Sequence, residues 1–390
     1  MKWPTKMAFD EEKDKYLKTH SKFNNLLSKI AINKKFCLKI LKSFLYLSLF
    51  ITGFCFIFLM INTLINFSST ETNTKLGQQI YLDSPKNIPL ERTIDIVMGA
   101  DDMYIQHSAA TMASILLNCD ASSNFRFHIL DGGISTDKKE KLLKLKKLRD
   151  FDIQFYDMTK YDWSMFPDNR THTTLATYYR LRIPEVLPEN LQKALYLDGD
   201  IIVEQDLKEL WDTDISNYVL GAVEDEQGTA SKNRLGLSKK YFNAGVLLLN
   251  LYKLRQINLL KQSLLYLNNN RVMFQDQDIL NGLFNTQYKD LPLKWNVNRS
   301  MYTFNKSKHT YSIHDSEIAK QNPGIIHFTG GTYLKPWNQE ILHPLSCEYW
   351  KYYKYTDFYS PDQRKSPIFQ LILMHISLTK QIVNMILNKP

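Results

Sequence analysis

Residues 195–203 read LYLDGDIIV, so Asp198 and Asp200 stand two positions apart between apolar runs. On an extended segment, positions i and i+2 project to the same side. Two carboxylates held there repel each other unless a positive charge lies between them. A divalent cation meets that need, because hard cations take oxygen ligands and can also hold phosphates. Separation by solvent is the plain alternative. Asp101, Asp131 and Asp157 also close apolar runs, and for Asp131 and Asp157 the expected use is the ordinary one of starting a turn or capping a helix. Other acid-based sites fail on spacing. An EF-hand loop needs further oxygen donors at alternate positions and a glycine at position six, whereas Ile201 and Ile202 follow directly. GxxxxGK[ST] and GxSxG do not occur, and no GxGxxG follows the first strand. What remains is a metal at a strand end without a glycine-rich phosphate loop, which suits an enzyme whose cation itself grips a diphosphate.

Such a pair needs a frame. TIDIVMGADD, from Thr93, reads as a buried strand ending in acids, and IQHSAATMASILLN follows with helical spacing. FRFHILDGG is a second strand. STDKKEKLLKLKKLRD is a helix in which Asp137 and Glu140 have capping-box spacing. FDIQFYDM and KALYLDGDIIV are further strands. Strands alternating with helices predict an α/β domain with a mostly parallel sheet, and ligands of such sheets gather outside the carboxyl ends of the strands.

The flanks carry different information. Residues 1–42 hold eleven lysines and four acids and so carry +7 of the net +9. The remaining chain is nearly neutral, so no nucleic-acid groove is expected. From Ser43 to Thr70 no residue is charged. The apolar run 44–65 at 1.5 Å per residue spans roughly 33 Å, about one hydrocarbon core. A transmembrane helix is expected over 43–67, with Lys34, Lys35, Lys39 and Lys42 placing the N-terminus in the cytoplasm. Residues 68–91 read as a stem, 92–340 as the catalytic domain, and 341–390 as an aromatic and basic extension. There, HPLSCEYWKYYKYTDFYSP is suited to sugar stacking or a headgroup layer, and 368–389 to a terminal or interfacial helix. Cys37 and Cys55 lie beside or inside the apolar run, and Cys119 and Cys347 are isolated. At most one bridge, between the last two, is expected, and no zinc site.

The blocks DIVMGADDMY, ATYYRLRIPEVLP, LYLDGDIIV, YFNAGVLLLNL, FQDQDILNGLF, LPLKWNVN and IIHFTGG…KPW occur in the order seen in glycosyltransferase family 8, which the chain resembles over roughly residues 93 to 340. The resemblance implies a GT-A fold, a mixed but mostly parallel sheet flanked by helices, and retaining transfer of a hexose from a UDP-sugar. It implies Asp198, Asp200 and His327 as ligands of manganese, with magnesium as the alternative. It implies donor contacts from Ala100, Asp101, Arg180, Asp198, Gly199, Asn243, Gly330 and Lys335, and places Asp276 and Gln277 against the reacting carbon. Two departures stand out: Met103 where members commonly carry Asn, and two extra residues between Gly330 and Lys335.

From the residues alone, His327 could be a core histidine, Arg180 could pair with Glu185, Asn243 could cap a segment, and Asp278 could be a structural acid. A glycoside hydrolase would need its carboxylates about 5 Å or more apart across the scissile bond. A silent lectin is the third class. The implied reaction is glucosyl or galactosyl transfer to a glycan or glycolipid, in lipopolysaccharide assembly or, alternatively, by a type II Golgi enzyme. The compartment stays open. Charge exports the catalytic domain, and sequons at Asn169, Asn298 and Asn305 permit luminal glycosylation, yet bacterial UDP-sugars are cytoplasmic. Either double displacement, with Asp276 or Gln277 as nucleophile, or same-face substitution fits retention; an amide is a poor nucleophile.

Overall fold

A computed structural model describes residues 93–167, 175–225, 228–303, 309–331, 334–338 and 345–363. The expected basic tail, transmembrane helix, stem and 368–389 segment lie outside the described residues. Among the described residues, no helix is long and apolar enough to cross a membrane.

The chain runs β1 (Thr93–Ala100), α1 (Ile105–Asn118), β2 (Asn124–Asp131), α2 (Thr136–Leu143), β3 (Asp152–Asp157), β4 (Lys193–Leu197), β5 (Ile201–Val203), β6 (Leu220–Glu224), α3 (Gly228–Leu235), β7 (Phe242–Asn250), α4 (Leu251–Gln256), α5 (Leu259–Asn269), α6 (Gln275–Phe284), β8 (Tyr288–Asp290), β9 (Val297–Asn298), α7 (Ile313–Gln321), β10 (Ile325–His327) and α8 (Ser346–Tyr353), with short helical turns between. Seven strands form one sheet in the order β3-β2-β1-β4-β7-β6-β8, and β5-β10-β9 form a second. The large sheet is parallel except where β7 runs against β4 and β6.

Sequence explains who sits where. β1 lies between β2 and β4 and is buried on both faces, hence its continuous apolar run. β3 stands at the edge, and DIQFYD is correspondingly polar and exposed in alternation. Ile96 and Met98 of β1 point into the core on one face, shared with α1, while Val97 joins the core on the other face with Tyr178 and Tyr196.

Helix α1 is buried along most of its length through small side chains such as Ala109, Ala110 and Ala113. They let it approach β5 closely, and its polar residues complete that strand's hydrogen bonds. Thr111 Oγ1 donates to the Ile201 carbonyl at 2.7 Å, Ser114 Oγ accepts from Val203 N at 2.9 Å, and Asn118 Nδ2 donates to the Val203 carbonyl at 2.6 Å. Buried backbone polar groups need partners. A helix here supplies what a neighbouring strand otherwise would, and it fixes the segment following Asp200.

Several expectations change. The capping box at Asp137 and Glu140 is not formed: α2 begins after Ser135 with no side-chain cap, and Asp137 pairs with Lys141. Cys119 is buried, Cys347 is exposed, and both are free. The aromatic stretch 346–353 does not form a sugar-stacking or headgroup surface. Tyr349, Trp350, Tyr352 and Tyr353 are buried in the core shared with α1, and Tyr349 accepts or donates at His107 Nδ1 over 2.8 Å. Residues of the expected extension therefore complete the α/β domain. Asn298 is fully buried and bonded to Ser300, so its sequon is inaccessible in the folded chain; Asn169 and Asn305 lie outside the described residues.

Candidate active site

The Asp198–Asp200 segment joins the two sheets. Asp198 N still donates to the Gly245 carbonyl of β7 at 2.9 Å, and the chain then turns at Gly199 and Asp200 into β5. The segment is thus bent rather than extended, and the two carboxylates converge through the turn. β5 pairs with β10 so that His327 lies opposite Ile201. That register brings the imidazole Nε2 to 3.3 Å from Asp200 Oδ1 and 3.7 Å from Asp198 Oδ2. Ligand atoms of all three lie within 4.8 Å of one another. A cation with oxygen ligands at about 2.3–2.6 Å spreads its donors over a similar span, so two carboxylates and one imidazole here fit a divalent metal. Lys335 bonds Asp200 Oδ2 and the Phe328 carbonyl. Burial pushes the Asp200 carboxyl up, but Lys335 and His327 outweigh it and hold the group well below the usual range.

Gly245 makes the convergence possible. A Cβ at that position would lie 2.2 Å from His327 Cε1 and 2.7 Å from Asp198 Oδ2. On the opposite side, Arg180 is buried in the short helix Leu175–Arg182 and spans two acids. It reaches Asp198 Oδ1 at 2.9 Å and Asp276 Oδ2 at 3.0 Å, with its guanidinium carbon 4.4 Å from the Tyr196 ring centroid. Burial works against the charge of Arg180, but Asp198 and Asp276 outweigh it and hold the guanidinium protonated. Burial raises the Asp276 carboxyl to about 6 despite Arg180 and a hydrogen bond from Thr177. Glu185 is taken by Arg182 instead. Asp198, Asp200, His327, Lys335, Arg180, Tyr196, Thr177 and Asp276 face one cleft of about 310 Å³ at the carboxyl ends of β1 and β4, a volume at the lower end for small-molecule sites.

Residues 95–340 match the profile of "Glycosyl transferase family 8". General stress protein A of Bacillus subtilis is 30% identical over 68% of this chain and 95% of its own length. Lipopolysaccharide 1,2-glucosyltransferase of Escherichia coli K12 is 28% identical over 72% of this chain and 82% of its own length. The galactosyltransferase LgtC, solved in complex with donor and acceptor sugar analogues, superimposes with a TM-score of 0.61 at 30% identity, covering 69% of this chain and 98% of that one. The chain belongs to glycosyltransferase family 8. It is therefore a glycosyltransferase with a GT-A-like α/β fold.

Within this family 8 cleft, Ala100, Asp101, Arg180, Asp198, Gly199, Asp200, Asn243, Asp276, Gln277, His327, Gly330 and Lys335 all line the wall. Their surroundings qualify some expectations. Asp101 uses one carboxylate oxygen to accept Tyr104 N at the start of α1. Gln277 Oε1 accepts Ala244 N at 2.9 Å, and Nε2 donates to Tyr241 at 3.2 Å. Both polar atoms of Asn243 are engaged inside the protein, with Asp225, Gly245 and Asn296. Met103 is 73% exposed and does not line the cleft. Asp278 lies behind it, accepting from Arg234, Tyr241 and the Met273 and Phe274 amides, which is the structural use foreseen for it. Gln275, with φ 44°, adopts a left-handed backbone that is rare for a non-glycine residue.

Tyr196, Thr177, Asp225, Gly245 and Asn296 escape sequence reading. Only Gly245 left a signal: a glycine inside an apolar strand marks close approach. Thr177, Asp225 and Asn296 acquire their contacts from residues distant in sequence, and Tyr196 meets Asp198 within its own segment. Asp131 and Asp157 behave as expected, capping turns through the amides of Gly133, Ile134 and Thr159.

Proposed function

We propose that the protein is a metal-dependent, retaining hexosyltransferase that moves glucose or galactose from a UDP-sugar to a glycan or glycolipid acceptor. The observation that carries the reading is the convergence of Asp198, Asp200 and His327 at the mouth of β4. Lipopolysaccharide transferases among the relatives support an acceptor in lipopolysaccharide-type glycan synthesis. Manganese suits the mixed oxygen and imidazole donor set; bound by these three residues, it would supply Lewis-acid stabilisation of the departing diphosphate.

The chain's own residues divide the remaining work. Asp200 holds Lys335 beside the metal site, where its ammonium can meet a phosphate oxygen once a donor displaces it. Arg180, fixed by Asp198 and Asp276, sets the charge of the cleft wall next to the ligands. Asp276 is already committed to Arg180 and Thr177, and the Gln277 carbonyl oxygen to a backbone amide. Neither is therefore a free nucleophile, which favours same-face substitution over double displacement. Membrane anchoring through residues 43–67 with the N-terminus in the cytoplasm accompanies this proposal.

The test is UDP release by the full-length protein from a panel of UDP-sugars, with manganese and then with chelator. Release from one hexose donor that stops on chelation is expected. Release unaffected by chelation, or none from any donor, contradicts the reading.

A further inference from the structure

The metal-ligand reading leaves open which ring nitrogen of His327 carries hydrogen, and the buried network behind the ring decides it. Gly245 N can only donate, and it donates to Asn243 Oδ1 at 2.9 Å. That leaves Asn243 Nδ2 to donate to Asp225 Oδ2, which lies 2.8 Å away. The orientation of the Asn243 amide is thus set by the Gly245 amide, a partner that has no alternative. Asn296 stands 2.9 Å from the same Asn243 Oδ1 and must turn its Nδ2 toward it. That leaves Asn296 Oδ1 facing His327 Nδ1 at 2.9 Å. A carbonyl oxygen cannot donate, so Nδ1 bears the hydrogen.

We propose that Asp225, Asn243 and Asn296 form a polarised relay that holds His327 as the Nδ1–H tautomer, with its Nε2 lone pair turned toward Asp198 and Asp200 for a metal. Asn296 is the positioning residue that touches the ring. The competing arrangement is a real one: Asp200 Oδ1, at 3.3 Å, would by itself attract an Nε2–H, and that tautomer cannot ligate. The relay opposes this locally favoured state. It also explains why a polar chain is buried between the two sheets. Asp225 follows β6, Asn243 lies in β7, Asn296 precedes β9 and His327 ends β10, and all four are at most 6% exposed. Four polar side chains are tolerated there because each is hydrogen-bonded, and the chain ends on the imidazole that faces the cleft. Partners of this kind fix the tautomer and orientation of metal-bound histidines, and losing one typically costs about 10–100-fold in metal affinity.

This inference rests on the metal reading for its consequence but not for its structure, so two measurements on the full-length protein separate them. The first is nitrogen-15 NMR of histidine-labelled, metal-free protein, with His327 assigned by the signals lost in His327→Gln. The Nδ1–H tautomer is expected in wild type and in Asn296→Asp, which keeps an acceptor for Nδ1. It is expected to be lost in Asn296→Leu. A predominant Nε2–H tautomer in wild type overturns the relay even if no variant folds. The second is manganese titration by electron paramagnetic resonance. Asn296→Leu should bind about 10–100-fold more weakly, with Asn296→Asp close to wild type. Wild-type affinity in a folded Asn296→Leu also overturns the proposal. Nδ1–H in a wild-type protein that binds no manganese supports the relay and refutes the metal reading.

Discussion

Acids close β2 and β3 just as they close β4, but they are satisfied differently. Asp131 and Asp157 are met by amides two or three residues ahead and, for Asp131, by Lys139. Asp198 is met by Tyr196 two residues back, and Asp198 and Asp200 together by Arg180, His327 and Lys335, brought in from separate elements. A carboxylate that finds its partner locally serves the turn it sits in. One that draws several charged groups from across the chain, at a cleft, does so against the desolvation of every one of them. Such a cluster in a cleft is the pattern of a functional site.

The contrast can be broken most sharply at its centre. Asp198→Asn removes one ligand and one anchor of Arg180 together. Transfer should fall by about 10³-fold, roughly 4 kcal/mol in the barrier, with the circular dichroism of a folded protein retained. Gly245→Ala pushes a methyl into His327 and Asp198. It should abolish most transfer and lower stability by about 1–3 kcal/mol, read by denaturant unfolding.

Asp276 gives a smaller, pH-dependent effect. Its carboxyl is raised to about 6, foremost by burial, so it is ionised above that pH and gains a proton below it. Protonation removes one of the two negative partners of Arg180. Catalytic efficiency should therefore decline as pH falls through about 6, and the pH profile of Asp276→Asn should lose that limb while lying uniformly lower. The smallest effect belongs to the other region. Asp157→Ala should leave transfer at the wild-type level and shift the melting temperature little, because its exposed carboxylate serves only its own turn. A large loss of transfer there would erase the distinction between the two kinds of strand end.

The same distinction explains what was legible. The alternation of β1, α1, β2, α2 and β3 follows from runs of neighbouring residues, so patterning exposes it. Asp198 and Asp200 are visible because two like charges inside an apolar run are anomalous on their own. His327 reads as a core residue until the family resemblance singles it out, since its role depends on the β5 to β10 register. Asn296 and Asp225 carry no local sign of their task. Tyr349 and its neighbours suggest a surface for sugars or lipids, whereas α1 covers them, and composition does not say which face of a helix finds a partner. The capping box at Asp137 shows the converse, a fitting spacing left unused because α2 begins after Ser135 and places Asp137 inside its first turn.

The central claim is that Asp198, Asp200 and His327 act together as one metal and diphosphate site. The most direct test is manganese binding to the full-length protein in the presence of UDP, followed by electron paramagnetic resonance, for wild type beside Asp198→Asn. One manganese per wild-type chain, bound more tightly with UDP present and lost in the variant, is the predicted result. Equal binding by both proteins, or none by wild type, would contradict the account.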